Sequence, residues 1–531
     1  MRGPAVLLLL ASACAPGTGS NMPAEPVSII PLPAEMTLLD QRFVPGSPVT
    51  IAADGDMAAQ GWMLAELIGA SGGPEVELIQ DGVGDFQLSI AAGLPSESYE
   101  LEISADRVLL TGADAAGLFY GVQTLRQLMP VTAGAEWSLP GLEITDAPRF
   151  RYRGLQLDVG RHFFSVEFVK KYLDRMAELK LNTFHWHLTE DQGWRAEILK
   201  YPRLTEVGSC RKETVIEKRF DPFEGDGKEH CGFYTQDEMR DVVAYAAERF
   251  ITVIPEIEMP GHAVAALAAY PELGCTTEPR EVSTTWGVHD DIFCPREETF
   301  RFLEDVLTEI MAIFPSTYIH IGGDEVPKKR WEESSLAQEV IRREGLADEL
   351  ELQSWFVQRV ERFLSANGRR LIGWDEILEG GLAPNATVMS WRGTEGGIAA
   401  ARLGHDVIMS PTRHLYFDFY QGPKESEPMS ADWSGYPLPL AQVYEYDPVP
   451  PELTADEARH ITGAQANLWT EHMKTPEKVE YMLFPRAFAL AEMVWTPQNR
   501  RTYDDFLVRL PAQLARLERA GVAFRPLDPV R

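Results

Sequence analysis

From Tyr152 onward the chain repeats one unit: a short apolar stretch suited to a buried strand, then a longer amphipathic stretch suited to a helix. The strand candidates span 154–159, 183–187, 252–257, 318–321, 370–374, 387–391, 406–409 and 464–469. Such short apolar runs suit strands covered on both faces, as a parallel sheet demands. The helices between them carry start signals. Thr235 with Glu238 is a capping box, and Ser165 precedes Phe168, Val169, Tyr172, Leu173 and Met176 on one stripe. Eight such units predict an α/β fold, a (β/α)8 TIM barrel over 148–531 with a C-terminal helix, whose active site lies at the carboxyl ends of the strands.

The region before it reads differently. Residues 86–90 and 99–103 alternate apolar and polar, as a sheet buried on one face requires. A helix over 114–128 places Leu118, Val122 and Leu125 on one stripe, continued by Met129 and stopped at Pro130. No chemistry-bearing cluster converges here, so 21–147 is read as a smaller, supporting α+β domain that ends near Asp146.

Residues 1–20 have the pattern of a processing signal: Arg2, an apolar run over 5–11, then Ala11-Ser12-Ala13 ahead of Cys14. The pattern fits cleavage after Ala13 or lipidation of Cys14. The mature protein would then be periplasmic, secreted or an outer-membrane lipoprotein. The other four cysteines form two local pairs, Cys210 with Cys231 and Cys275 with Cys294, each able to staple a loop in an oxidising compartment. A formal charge of −31 argues against nucleic acid or an anionic bilayer as partner. Nothing after the N-terminus is long and apolar enough to span a membrane.

A barrel should carry its chemistry just after each strand. Arg161 and His162 follow the first candidate, Glu190, Asp191 and Trp194 the second, Glu258 and His262 the third, Asp324 and Glu325 the fourth. Trp374, Trp391 and Trp469 close the fifth, sixth and eighth, with Asp375 and Glu376 beyond the fifth, Tyr416 and Asp418 after the seventh and Glu471 after the eighth. Aromatic faces mixed with carboxylates and an arginine suit a sugar, whose ring faces stack and whose hydroxyls take charge-assisted hydrogen bonds. In His320-Ile-Gly-Gly-Asp-Glu-Val326 two glycines lead into adjacent carboxyls. Such a pair cannot ionise freely, which suits one member to proton donation. Adjacent side chains of a regular strand point to opposite faces, so both reach one ligand only if the strand end is irregular.

These residues carry a resemblance. The chain is similar to the family 20 glycoside hydrolases, the β-N-acetylhexosaminidases, through Leu157-Asp-Val-Gly-Arg-His-Phe163, His185-Trp-His-Leu-Thr-Glu-Asp-Gln-Gly-Trp194, Pro255-Glu-Ile-Glu-Met-Pro-Gly-His262, His320-Ile-Gly-Gly-Asp-Glu325, Gly373-Trp-Asp-Glu376, Ser390-Trp-Arg-Gly393 and Asn467-Leu-Trp-Thr-Glu471. Gly160 and Glu190 depart from the family pattern at positions read as variable. The resemblance implies exo-acting hydrolysis of a terminal β-linked N-acetylhexosamine with retention, by attack of the substrate's own acetamide oxygen. It implies that Glu325 is the acid and base, that Asp324 holds the acetamide N–H, and that Tyr416 donates to the acetamide carbonyl. Trp374, Trp391 and Trp469 would wall the pocket. Arg161 would take the 3- and 4-hydroxyls, and Asp418 and Glu471 the 4- and 6-hydroxyls. Asp191 and His262 would form a dyad that tunes the acid. The implied partner is an oligosaccharide or glycoconjugate, with no cofactor and no metal. A metal-dependent barrel around His185 and His187 is the competing reading; no ligand set on later strands completes it, and the pair reads as a hydrogen-bonded site floor.

Overall fold

The computed structural model describes residues 27–80, 82–130 and 137–528, so the expected processing signal and Cys14 lie outside the described residues. Eight parallel strands close into a barrel: Tyr152–Asp158, Thr183–His187, Thr252–Glu256, Tyr318–His320, Arg370–Trp374, Thr387–Ser390, Val407–Met409 and Ile461–Ala466. Their side chains are almost all buried, which explains the apolar runs in the sequence. The register sets the site. Asp158 pairs with His187, His187 with Glu256, and Glu256 with His320, so four polar residues from neighbouring strands share one layer at the carboxyl end.

Most strands lie within two residues of their expected bounds, and two of the differences bear on the site. The eighth begins at Ile461, three residues ahead of the sequence reading, because Thr462 and Gly463 interrupt its apolar pattern. Gly463 is there for contact: a β-carbon on it would lie 1.8 Å from the Tyr152 carbonyl of the first strand. The fourth strand ends early, at His320, where the chain turns.

Before the barrel, a seven-stranded mixed sheet carries the helices Ala58–Ala70 and Ala115–Leu128. Asp114 caps the second helix by accepting from Gly117 N at 2.8 Å. That helix is buried almost all round because it is sandwiched between sheet and barrel, with Phe119 against Phe250 and Tyr120 against Trp495. Beneath it, Asp146 accepts from Tyr99 Oη at 2.6 Å and Lys180 Nζ at 3.1 Å. Both cysteine pairs are disulfides, Cys210 with Cys231 and Cys275 with Cys294. No described helix is long and apolar enough to cross a membrane.

Candidate active site

The floor is one buried carboxylate. Glu256, at the tip of the third strand, lies 2.8 Å from His320 Nδ1 and 3.0 Å from His185 Nε2, contacts His187 Nδ1, and accepts from Trp374 Nε1 at 2.9 Å. Burial acts to raise its pKa, but His320, His187 and His185 outweigh burial and hold it well below the usual carboxylate range. His185 and His187 thus meet a carboxylate on the neighbouring strand. His185, Glu256 and His320 also stand close enough together to share a cation.

Above the floor lies a buried charge network. Arg161 stands 3.2 Å from Glu190 and 3.5 Å from Asp158, with its guanidinium over the Trp469 ring. Glu190 continues to His262 Nδ1 at 2.8 Å and His187 Nε2 at 3.2 Å. Asp191 also meets His262 Nδ1, at 3.0 Å. Burial alone would lower the His262 pKa; Glu190 and Asp191 reverse that and push it well above the ordinary value, which favours the imidazolium form. Its Nε2 stands 3.5 Å from Glu325 Oε2 and 3.7 Å from Asp324 Oδ2. The sequence reading treats Glu190 as a variable loop position. Its place between Arg161 and His262 gives it a structural reason to be acidic.

The pleat problem is solved by the backbone. After His320 the chain leaves the strand through Gly322 at φ 68° and Gly323 at φ 87°, and Glu325 itself takes φ 47°. A left-handed non-glycine residue costs about 1–3 kcal/mol and persists only where its surroundings enforce it. His262 opposite is left-handed too, at φ 48°. The turn brings Asp324 and Glu325 to one cavity of about 460 Å³. Burial and the nearby Glu325 outweigh His262 and push Asp324 up to about 7.

Of the expected site residues, Arg161, His262, Asp324, Glu325, Trp391, Tyr416, Asp418, Trp469 and Glu471 line this cavity. Asp191 stands behind His262, and Trp374 lies one layer down, its ring 5.8 Å from Trp469. Trp391 stacks with Tyr416 at 22° between planes and donates to Glu376 Oε2 at 2.9 Å. Burial pushes Asp418 well above the usual range, with Glu471 adding to it. Several further residues join the site. Glu258 and Glu376, which the strand-end rule placed at the rim without a task, both belong to the site: Glu258 lines the cavity and Glu376 backs Trp391. Trp433, Trp286, Val288 and Phe220 form the mouth, and they come from loops that only the folded chain brings together. Phe220 rides a hairpin, Val215–Phe220 with Phe223–Gly225, which Lys218 ties to Asp432 beside Trp433.

Residues 150–498 match the glycosyl hydrolase family 20 catalytic domain, and 26–147 match domain 2 of that family. The chain belongs to glycosyl hydrolase family 20. Within the family it is 48% identical to a beta-hexosaminidase of Porphyromonas gingivalis over 94% of this chain, and it spans 64% of that relative's length. A beta-hexosaminidase of Akkermansia muciniphila is 36% identical over 82% of this chain and 87% of its own. The fold matches a family 20 exo beta-N-acetylglucosaminidase of Vibrio harveyi in complex with N-acetylglucosamine, at TM-score 0.85, 34% identity, 97% of this chain and 81% of that one. It also matches the N-acetyl-beta-hexosaminidase of Streptomyces plicatus, at TM-score 0.83, 33% identity, 94% of this chain and 97% of that one.

Proposed function

We propose that this protein is an exported, exo-acting β-N-acetylhexosaminidase. It removes a terminal, non-reducing β-linked N-acetylhexosamine from oligosaccharides or glycoconjugates with retention of configuration, through an oxazolinium ion. The observation that carries this is the turn that aims two adjacent carboxyls, Asp324 and Glu325, into one cavity beside His262. In this reading Asp324, ionised, accepts the acetamide N–H, and Tyr416 donates to the acetamide carbonyl. The carbonyl oxygen attacks the anomeric carbon as Glu325 protonates the leaving oxygen. Glu325 then takes a proton from the water that opens the oxazolinium ion. Asp191 and Glu190 hold His262 as a cation, which lets the Glu325 carboxylate form after proton transfer.

Arg161, Asp418 and Glu471 at the inner end of the cavity would hold the hydroxyls of one terminal sugar, with Trp391 and Trp469 as walls and Trp374 under them. That supports exo action. The half-exposed mouth residues Phe220, Val288 and Trp433 suit a sugar leaving group. Two disulfides support export.

The test compares wild type with Asp324→Asn and Glu325→Gln on aryl N-acetylglucosaminide and aryl glucoside. Asp324→Asn should lower the rate about 100- to 1000-fold, as expected for one lost charge-stabilising contact. Cleavage of the plain glucoside, or a full rate for Asp324→Asn, would contradict acetamide participation. Indifference to EDTA is expected; loss of activity restored by zinc would favour a cation at His185, Glu256 and His320.

A further inference from the structure

Glu258 is a buried carboxyl whose oxygens meet no hydrogen-bond donor among the described residues. It follows the third barrel strand, its backbone N–H fixed on Thr189 Oγ1 at 2.9 Å, and its side chain is 1% exposed. Both carboxyl oxygens are buried without a hydrogen-bond donor, and so is Asp324 Oδ1. Glu256, two residues earlier, has three histidine nitrogens within 3.0 Å and accepts from an indole. The Glu258 carboxyl lies against the turn that delivers Asp324. A β-carbon on Gly322 would come within 1.7 Å of Oε2 and 2.6 Å of Oε1, so the turn is glycine where Glu258 rests.

A buried carboxylate without donors is unfavourable, and protonation converts it from a pure acceptor into a donor. We propose that Glu258 is a positioning residue whose neutral carboxyl donates its proton's hydrogen bond to Asp324, holding Asp324 ionised and aimed at the substrate acetamide. One proton then turns an orphaned Glu258 oxygen into a donor and gives Asp324 Oδ1 a partner. The groups that face Glu258 decide which carboxyl keeps that proton. Glu256, Glu190 and Asp324 are acidic, and His187 Nδ1, 4.0 Å away, is already engaged by Glu256. His262 stands over Asp324 Oδ2 and favours charge there. In keeping with this, burial, Asp324 and Glu256 outweigh His262 and push Glu258 well above the usual range, whereas Asp324, also restrained by His262, reaches only about 7.

The inference rests on the reading of Asp324 as the acetamide-orienting carboxylate, and its test separates the two. The substrate is 2,4-dinitrophenyl N-acetyl-β-glucosaminide, whose leaving group needs no protonation, so the acid limb of kcat/KM reports Asp324. Glu258→Gln retains a neutral donor and should keep kcat within about threefold, with the acid limb in place. Glu258→Leu removes the donor and should lower kcat about 100-fold with KM little changed, and move the acid limb up by about one pH unit. The proposal is overturned if Gln and Leu behave alike, both active or both impaired. It is also overturned if Gln moves the acid limb down by a unit, since Glu258 would then have been charged. Thermal unfolding of both variants checks folding, and if Leu does not fold, the Gln profile decides. Asp324→Asn runs alongside: a full rate there removes the underlying reading, whereas a loss there with Gln and Leu alike removes only the role of Glu258.

Discussion

Asp324 is surrounded by acids. Glu258 touches its turn, Glu325 follows it, and Glu376, which burial and Asp324 push up to about 8, stands behind Trp391. His262 is the counterweight, and its own charge depends on Glu190 and Asp191. In the proposed mechanism Asp324 works as an anion. Its pKa is raised by burial to about 7, so the working form is present above that pH and lost as pH falls through it. With the dinitrophenyl substrate, the acid limb of kcat/KM should therefore have its midpoint near pH 7, measured from initial rates across pH 4 to 9. A midpoint near pH 4, the value of an ordinary aspartate, would mean that the surrounding acids do not act on Asp324 as drawn here. At this scale the sequence revealed Asp324 and Glu325 through their glycine-to-acid setting. It could not reveal Glu256, whose partners His185, His187 and His320 lie on neighbouring strands. Glu190 was misjudged for the same reason: an acid among loop residues looks replaceable until Arg161 and His262 are seen on either side of it.

Among the elements, the turn after the fourth strand has the strictest requirement. Gly322 must be left-handed and must also leave room for the Glu258 carboxyl. Gly322→Ala should lose activity at least about 100-fold and about 1–3 kcal/mol of stability, read by urea unfolding. Gly404 supplies the control. It has φ 82° but nothing within 4 Å of an added β-carbon, so Gly404→Ala should carry only the backbone strain and leave kcat unchanged. Equal loss of activity in both would mean that general strain, and not the contact with Glu258, explains Gly322. The barrel strands were legible because burial on both faces forces apolar runs, and the helices because Ser165 and Thr235 cap them as their sequences announce. The hairpin carrying Phe220 was not legible. Val215–Phe220 is largely exposed and charged, and it is placed by long-range contacts, the Lys218 to Asp432 pair and the disulfide between Cys210 and Cys231 nearby.

The sheet and the barrel are joined through buried polar groups, and Asp146 is the centre of that junction. Its side chain is fully buried and accepts from Tyr99 of the sheet, Lys180 after the first barrel helix, Trp495 near the C-terminal helix, and the Ala34 backbone. Burial acts to strip the proton from Lys180, and Asp146 opposes that. Removing the carboxylate leaves a buried ammonium group without its counter-charge and the Trp495 indole and Ala34 backbone N–H groups without their acceptor, which is the costly way to break such a pair. Asp146→Ala should therefore lower stability by about 3–5 kcal/mol. Because the lost contacts belong to both units, sheet and barrel should unfold in one transition at lower urea, seen equally by far-ultraviolet circular dichroism and tryptophan fluorescence. The catalytic groups do not touch Asp146, so KM and kcat should hold at temperatures below the transition. Two separated transitions would show instead that the sheet is held to the barrel mainly by its apolar contacts, Phe119 on Phe250 and Tyr120 on Trp495, with Asp146 serving the sheet alone.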